Sequence, residues 1–310
     1  SEKHIVGVIS RFPDAVSKII VVDDCCPNGT GKLVENQVKD PRVEVIYNSE
    51  NLGVGGAVIA GLRRALETEA EIVVKIDSDG QMNPEDIPRL VRPIVDGEAD
   101  YSKGNRFNSL DDLQEMPKTR VFGNAVLSLM SKLSTGFWSI TDPTNGFFAI
   151  SRGALEEINL GKLKQRWFFE SDLLFRLSII RAVVIDVPLR AKYADEESNL
   201  RVHKVIFEFI NRHNINFYKR IFYIYYLREW SVASFELPLG LVLTFGGGLA
   251  GLSFWTNASA LGTSATIGQV MLAVVPIILG FQLLLSFLSL DVANEPKKPL
   301  YSYRSRKVRE

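Results

Sequence analysis

Ile72-Val73-Val74-Lys75-Ile76-Asp77-Ser78-Asp79-Gly80-Gln81 is the stretch that decides the fold. A β-branched run of this length, bounded by turn residues, reads as a buried strand over 72–76. It stops at two carboxylates one residue apart. In an open α/β sheet, ligands bind just beyond the carboxyl ends of the strands. Side chains two apart on an extended segment face the same way, so Asp77 and Asp79 can reach one hard divalent cation. Mg²⁺ and Mn²⁺ prefer oxygen ligands and keep room for substrate phosphates, and the amide oxygen of Gln81 can join the set. Asp-x-Asp is common, and the plain alternative is a polar turn after a strand; the surrounding chain has to decide.

Upstream, residues 1–11 read as a helix with Ile5, Val8 and Ile9 on one face, stopped by Pro13. A strand over 18–23 ends in Asp23-Asp24, and a turn with Pro27 and Asn28-Gly29 leads to a helix over 32–38 and a strand over 43–47. Asn51-Leu52-Gly53-Val54-Gly55-Gly56-Ala57 opens a helix that runs to about Thr68. Downstream come a helix over 84–95, a strand over 100–103 leading to Gly104-Asn105-Arg106, and a helix over 119–133. Thr141-Asp142-Pro143-Thr144-Asn145-Gly146-Phe147-Phe148 turns into a strand. A helix over 168–180 carries Glu170 and Asp172 in its first turn, where acids suit the helix dipole, before a strand over 183–187 and a polar loop over 193–199. Alternating strands and helices predict an α/β fold with a mostly parallel, doubly wound sheet.

The glycines at 53, 55 and 56 fit a dinucleotide fingerprint poorly, because the acidic residue expected about 20 positions later is displaced. They read better as positions that let a helix start close to a strand or a nucleotide. Cys25 and Cys26 are adjacent, which makes neither a zinc motif nor a useful disulfide, and they read as two small buried loop residues.

The 310 residues carry 36 Lys+Arg and 36 Asp+Glu, but unevenly. Residues 200–310 hold 12 basic and 6 acidic side chains, a balance of +6, which leaves 24 and 30, or −6, for residues 1–199. An acidic front and a basic back suggest a soluble catalytic part joined to a membrane-facing one. Residues 237–290 contain no Asp, Glu, Lys or Arg. Two apolar spans fit there, about 235–255 and 267–290, each with the ~20 residues that cross a bilayer. A buried pair of core helices would not need so long an uncharged run between basic clusters. Those clusters are Arg201, Lys204, Arg212, Lys219, Arg220 and Arg228 before it and Lys297, Lys298, Arg304, Arg306, Lys307 and Arg309 after it. By the positive-inside rule both ends face the cytosol. Residues 200–234 interleave aromatic and basic residues and read as amphipathic juxtamembrane helices rather than a nucleic-acid surface. The expected division is a catalytic domain over 1–199, these helices over 200–234, a transmembrane pair over 235–290, and a basic cytoplasmic tail over 291–310.

Val21-Val22-Asp23-Asp24, Asn51-x-Gly53, Asp77-Ser78-Asp79-Gly80-Gln81, Gly104-Asn105-Arg106 and Asp142-x-Thr144-Asn145-Gly146-Phe147 recur in the order and spacing of family 2 glycosyltransferases with the GT-A fold. The chain resembles the dolichyl-phosphate mannose synthase-like branch, with its bacterial polyprenyl-phosphate glycosyltransferases. The resemblance covers about residues 1–200 in detail. It implies that Asp23 and Asp24 contact the base and ribose of a UDP- or GDP-sugar, with Asn51 and Gly53 beside them. It also implies that Asp77, Asp79 and Gln81 hold Mg²⁺ or Mn²⁺ and the diphosphate. Arg106 resembles an arginine that holds phosphate near the acceptor, and Asp172 matches a late acidic position. Asn145, Gly146, Arg190 and Ser198 are the implied acceptor-side residues, Ser198 within a Glu197-Ser198 acceptor loop. Family members begin with a strand and a Pro-x-Tyr-Asn-Glu turn; the expectation is that this strand precedes Ser1. Val54, Phe148 and Asn199 stand where the family often has Lys, Arg and Lys.

The implied reaction is inverting transfer of one sugar to a polyprenyl phosphate at the membrane. Such an acceptor is already ionised near neutral pH and needs positioning by Arg106 rather than a strong base. The alternative acceptor is a hydroxyl of a lipid-linked saccharide or glycolipid, which needs a general base, for which Asp172 is the candidate. A homo-oligomer is a further expectation, as two-helix membrane parts often self-associate.

Overall fold

The computed structural model describes residues 4–107, 118–189 and 202–301. The chain divides into two units: Ser1–Phe217 together with Pro296–Glu310, and Tyr218–Glu295.

In the first unit β1 (Ile19–Asp23) and β2 (Val43–Tyr47) pair in parallel, with Ile19 opposite Val43. A second sheet holds β3 (Ile72–Lys75), β4 (Tyr101–Asn105), β5 (Phe148–Ser151) and β6 (Val184–Pro188) in the order β3-β5-β4-β6. β6 runs parallel to β4, whereas β5 is antiparallel to both of its neighbours. The expected mostly parallel sheet is therefore two sheets, one of them mixed. The reason lies in the approach to β5. The Gly104 amide donates to the Phe147 carbonyl and Arg106 binds Asp142, so the chain enters β5 at the carboxyl end of β4 and can only run back.

Helices cover both faces of the mixed sheet, as expected for a doubly wound fold. Alternation along β5 divides the core. Phe148 and Ile150 pack with Ile59 and Leu62 of α3 (Val54–Leu66), Leu155 of α6 (Arg152–Glu157) and Leu173, Leu174 and Leu177 of α7 (Phe169–Ile179). Phe147 and Ala149 pack with Ile87, Leu90 and Ile94 of α4 (Ile87–Val95). α1 (Ile5–Ile9) and α2 (Thr30–Gln37) close the β1–β2 side around Ile5, Ile9, Ile19 and Val34, the face that the spacing predicted for the first helix. The helix expected from 84 starts as a 3₁₀ turn, Pro84–Asp86, capped by the Asn83 side chain.

α5 (Lys118–Thr135) and α8 (Val202–Phe222) meet through a 2.8 Å hydrogen bond between Ser134 Oγ and His213 Nδ1. The Phe168 ring stands edge-on to Phe209 and His213. Burial pulls the His213 imidazole down to about 4, below its usual 6.5. Between those two values the unfolded chain binds a proton that the folded chain does not. Stability is therefore full above about pH 6.5 and falls as pH drops through this window, by about 2 kcal/mol at pH 5 for this shift. His213→Gln is expected to flatten that part of a melting-temperature profile taken from pH 7 to 5.

The tail is not free where it begins. The backbone amides of Leu300 and Tyr301 donate to Asp100, which also accepts from Val183 N, and Tyr301 Oη donates to Glu157. Cys25 is exposed with φ of 56° and Cys26 is half-buried, so the reading of two buried cysteines does not hold; the turn after Asp23 turns Cys25 outward.

In the second unit α9 (Val232–Ala260) and α10 (Ile267–Ala293) are 29 and 27 residues long, and both are apolar enough to cross a membrane. Their outward faces are apolar and exposed, including Phe245, Leu249, Leu272 and Phe281, which is the reverse of a core helix pair. They touch through small residues: a Cβ on Gly247 would lie 2.7 Å from the Ala273 carbonyl, as in close helix packing in lipid. The Arg220 guanidinium forms two hydrogen bonds to Asp291, of 2.7 and 3.0 Å, and Tyr225 Oη donates to the same carboxylate. Removing one member of a buried pair strands the other charge, at a cost of ~3–5 kcal/mol. Asp291→Ala is expected to lower the thermal midpoint in detergent sharply, whereas Arg212→Ala, at an exposed helix pair, leaves it near wild type.

Candidate active site

The site forms where β1, β3 and β4 end. Asp23 and Asp24 close β1, but the structure uses both carboxylates for local architecture. Asp23 accepts from Cys26 N and Gly31 N, both at 2.7 Å, which fixes the turn into α2. Asp24 accepts from Asn48 Nδ2 at 2.7 Å, Leu52 N at 3.0 Å and Gly53 N at 2.8 Å, while Asn51 Nδ2 donates to the Asp24 carbonyl. Asp24, Asn51 and Gly53 are thereby brought together as one latch. Gly53, with φ of 82°, caps α3, and the Gly56 amide donates to the Gln165 carbonyl. A Cβ on Gly55 would lie 2.6 Å from the Lys164 carbonyl. The glycine cluster thus sets α3 against the loop that leads into α7.

Beyond β3, Asp77 and Asp79 sit on one turn. Asp79 Oδ1 accepts from Gln81 N at 2.9 Å, which together with Gly80 at φ of 80° makes the turn tight. Asp77 Oδ1 lies 2.7 Å from Lys75 Nζ. Among the described residues no cluster of three His, Cys, Asp or Glu is preassembled for a metal. Two carboxylates on a turn fit a Mg²⁺ or Mn²⁺ that completes its shell with diphosphate oxygens and water.

Lys75 was read in the sequence only as part of a strand. Phe148 on β5 is opposite Lys75 on β3 and opposite Lys103 on β4. Directly paired residues share a face, so both lysines point to the side covered by α7. The first turn of α7 brings Glu170 to them. A Cβ on Gly146 would lie 2.3 Å from Lys75 Nζ, 2.9 Å from Asp77 Oδ2 and 3.6 Å from Glu170 Oε1. Gly146 therefore faces an ammonium and two carboxylates. Burial pushes the Glu170 carboxyl up, and the Lys75 charge opposes that. Lys103 is fully buried and donates to the Asp142 carbonyl; burial lowers its ammonium, against the pull of Asp142 and Asp186.

Arg106 is held by Asp142 through Nε at 2.8 Å and a terminal nitrogen at 2.9 Å. Burial works against the Asp142 carboxylate, yet the Arg106 hydrogen bonds and the Lys103 charge keep it below its ordinary range. Asn145 is buried, accepts from Phe147 N at 3.0 Å and shapes the turn that presents Gly146. Asp172 has its Oδ2 on Lys164 N and on two nitrogens of Arg176, each at 3.2 Å. This oxygen holds the start of α7, and Glu170, two residues earlier, lies with Asp77 and Lys75 around Gly146. Arg190 and Ser198 lie outside the described residues, as does Glu197.

A family model described as Glycosyl transferase family 2 matches residues 5–159, half of the chain. A UDP-N-acetylglucosamine–dolichyl-phosphate N-acetylglucosaminyltransferase of Methanococcus voltae is 30% identical over 63% of this chain and 82% of its own. An undecaprenyl-phosphate mannosyltransferase of Micrococcus luteus is 32% identical over 58% of this chain and 75% of its own. Among solved structures, glucosyl-3-phosphoglycerate synthase of Mycobacterium tuberculosis, in complex with Mn²⁺, UDP-glucose and phosphoglyceric acid, superposes with a TM-score of 0.51. That superposition covers 71% of this chain and 75% of the other at 20% identity, which bears on the fold alone. Five motifs in order, a GT-A-like fold and these matches make the chain a member of glycosyl transferase family 2.

Proposed function

We propose that the protein transfers one sugar from a UDP- or GDP-sugar to a polyprenyl phosphate, with Asp77 and Asp79 holding Mg²⁺ or Mn²⁺. The observation that carries this reading is the Asp77–Asp79 turn at the carboxyl end of β3 in a chain that also bears two apolar helices of spanning length. A bound divalent cation would supply charge to a departing nucleoside diphosphate. The chain's own residues do the rest. The Asp24 latch fixes the Asn51–Gly53 loop at the nucleotide end. Lys75 sets the orientation of Asp77. Asp142 holds the Arg106 guanidinium rigid, so an incoming phosphate meets a cation that needs no reorganisation.

Arg176 engages Asp172, the base expected for a hydroxyl acceptor, and this supports a phosphate acceptor. The basic clusters on both sides of the apolar helices, and the return of Leu300 and Tyr301 to the catalytic unit, support a catalytic domain on the cytoplasmic face.

Titration of the full chain in detergent with UDP and GDP, with and without Mn²⁺, tests the donor half. Nucleotide affinity is expected to rise at least about tenfold with the metal and to lose that gain in Asp79→Ala, about 1.4 kcal/mol or more. Equal affinity with and without metal would refute the assignment of Asp77 and Asp79.

A further inference from the structure

The loop from Lys164 to Trp167 shows exposed side chains on a fixed backbone. Lys164 N donates to Asp172 at 3.2 Å, the Gln165 carbonyl accepts from Gly56 N at 2.8 Å and the Arg166 carbonyl accepts from Phe169 N at 3.0 Å. These bonds tie the loop to the first turns of α3 and α7. The loop also bridges the site. At one end a Cβ on Gly53 would lie 3.3 Å from Arg166 Cγ, which sets the Arg166 side chain against the Asn51–Gly53 loop. At the other end Glu170, on the first turn of α7, lies with Asp77 around Gly146. A nucleoside diphosphate that reaches from Asn51–Gly53 to Asp77–Asp79 runs past this loop. Phe168 and Phe169 are buried, whereas Arg166 is exposed and Trp167 is 52% exposed. Among the described residues the Arg166 guanidinium makes no hydrogen bond or ion pair. The other cations of the site are engaged, Lys75 beside Asp77 and Arg106 with Asp142, and Val54, next to Gly53, brings no charge. Asp77 and Asp79 together balance one divalent cation, so the charge of the diphosphate calls for a further partner.

We infer that Arg166 and Trp167 form the outer wall of the donor site, with Arg166 pairing with the nucleoside diphosphate and Trp167 packing its indole against the nucleoside. A guanidinium presents its N–H donors in a planar fork that matches phosphate oxygens. An indole offers a large flat apolar face to a base or ribose. The backbone beneath both is already pinned, so only two side chains have to order when the donor binds. The inference rests on the donor reading given under Proposed function.

Calorimetry and intrinsic tryptophan emission test this on the full chain in detergent, titrated with UDP and with GDP in the presence of Mg²⁺. The nucleotide that binds is expected to change the emission. The chain has four tryptophans, and Trp167→Phe is expected to remove most of the change. Arg166→Ala should weaken binding at least about tenfold, the worth of a hydrogen bond to a charged group. Arg166→Lys should recover part of that loss, and both variants should melt near wild type. Affinity unchanged in Arg166→Ala, or emission that nucleotide does not move, would overturn the inference alone, provided that Asp79→Ala still loses metal-dependent binding. Lost binding that comes with a lowered melting temperature, and that Arg166→Lys does not recover, would also overturn it, because Arg166 would then only prop the Asn51–Gly53 loop. So would a Trp167 emission change produced by a short polyprenyl phosphate without nucleotide, which would put the pair on the acceptor side. A wild-type chain that binds neither nucleotide would sink the donor reading as well.

Discussion

Gly146→Ala is expected to lower sugar transfer about a hundredfold or more while the catalytic unit melts close to wild type. The added methyl would sit 2.3 Å from Lys75 Nζ and 2.9 Å from Asp77 Oδ2. Contacts this short cannot stand, so something moves. The backbone here is pinned by Phe147 O to Gly104 N and by Asn145 to Phe147 N, which leaves the two side chains to give way. Lys75 is the long, yielding one, so the cost in folding is small. Its ammonium, however, lies 2.7 Å from Asp77, and it cannot move without releasing the carboxylate proposed to hold the metal. A displacement of about 1 Å at such a group costs on the order of a hundredfold in rate. The pairing of lost transfer and kept melting temperature is diagnostic. A loss of both would mean that Gly146 serves the fold, and a loss of neither would mean that the Lys75–Asp77 pair lies outside the chemistry. Metal-dependent UDP binding should weaken in parallel with transfer.

Asp100→Ala should have a large effect on stability, about 3–5 kcal/mol. The carboxylate is fully buried, and it accepts from Val183 N at 2.8 Å, Leu300 N at 3.0 Å and Tyr301 N at 3.1 Å. Each donor left without a partner costs ~1–3 kcal/mol, a large part of the ~5–15 kcal/mol that holds a domain folded. Asp100 closes the sheet at the amino end of β4 and receives the chain on its return from the apolar helices. A chain ended at residue 295 is expected to lose part of the same stability, because two of the donors and the Tyr301 ring over Gly153 go with it. Chemical denaturation of the two variants checks this; an unchanged midpoint for Asp100→Ala would show that the strap carries no weight.

The strands were largely legible because β-branched runs end at turn residues. The strand over 43–47 is β2 as observed, and β3 stops one residue short of the expected 76. Their directions were not legible. A run of Phe-Ala-Ile reads the same whether it is parallel or antiparallel, and only the Gly104–Phe147 contact shows that β5 must run back. The Asp77–Asp79 turn and the Asn51–Gly53 loop were placed correctly from spacing. Lys75 could have been found by the same alternation that put Asp77 and Asp79 on one face, since it lies two residues before Asp77. Its place in an apolar run hid it. That Glu170 and Asp172 take different partners, Lys75 and Asp77 for the first and Arg176 and Lys164 for the second, is not legible in the sequence. Both are acids in the first turn of one helix, and only the position of Arg176 and Lys164 shows which carboxylate is already engaged.

Transfer from radiolabelled UDP- and GDP-sugars into organic-extractable lipid tests the central claim most directly, using the full chain, Mn²⁺ or Mg²⁺ and a polyprenyl phosphate. The account predicts label in a lipid cleaved by mild acid, as a sugar–phosphate–prenyl linkage is. It also predicts that the label disappears in Asp79→Ala and stays near wild type in Asp172→Asn. Label that reaches only a hydroxyl acceptor, and depends on Asp172, would contradict it.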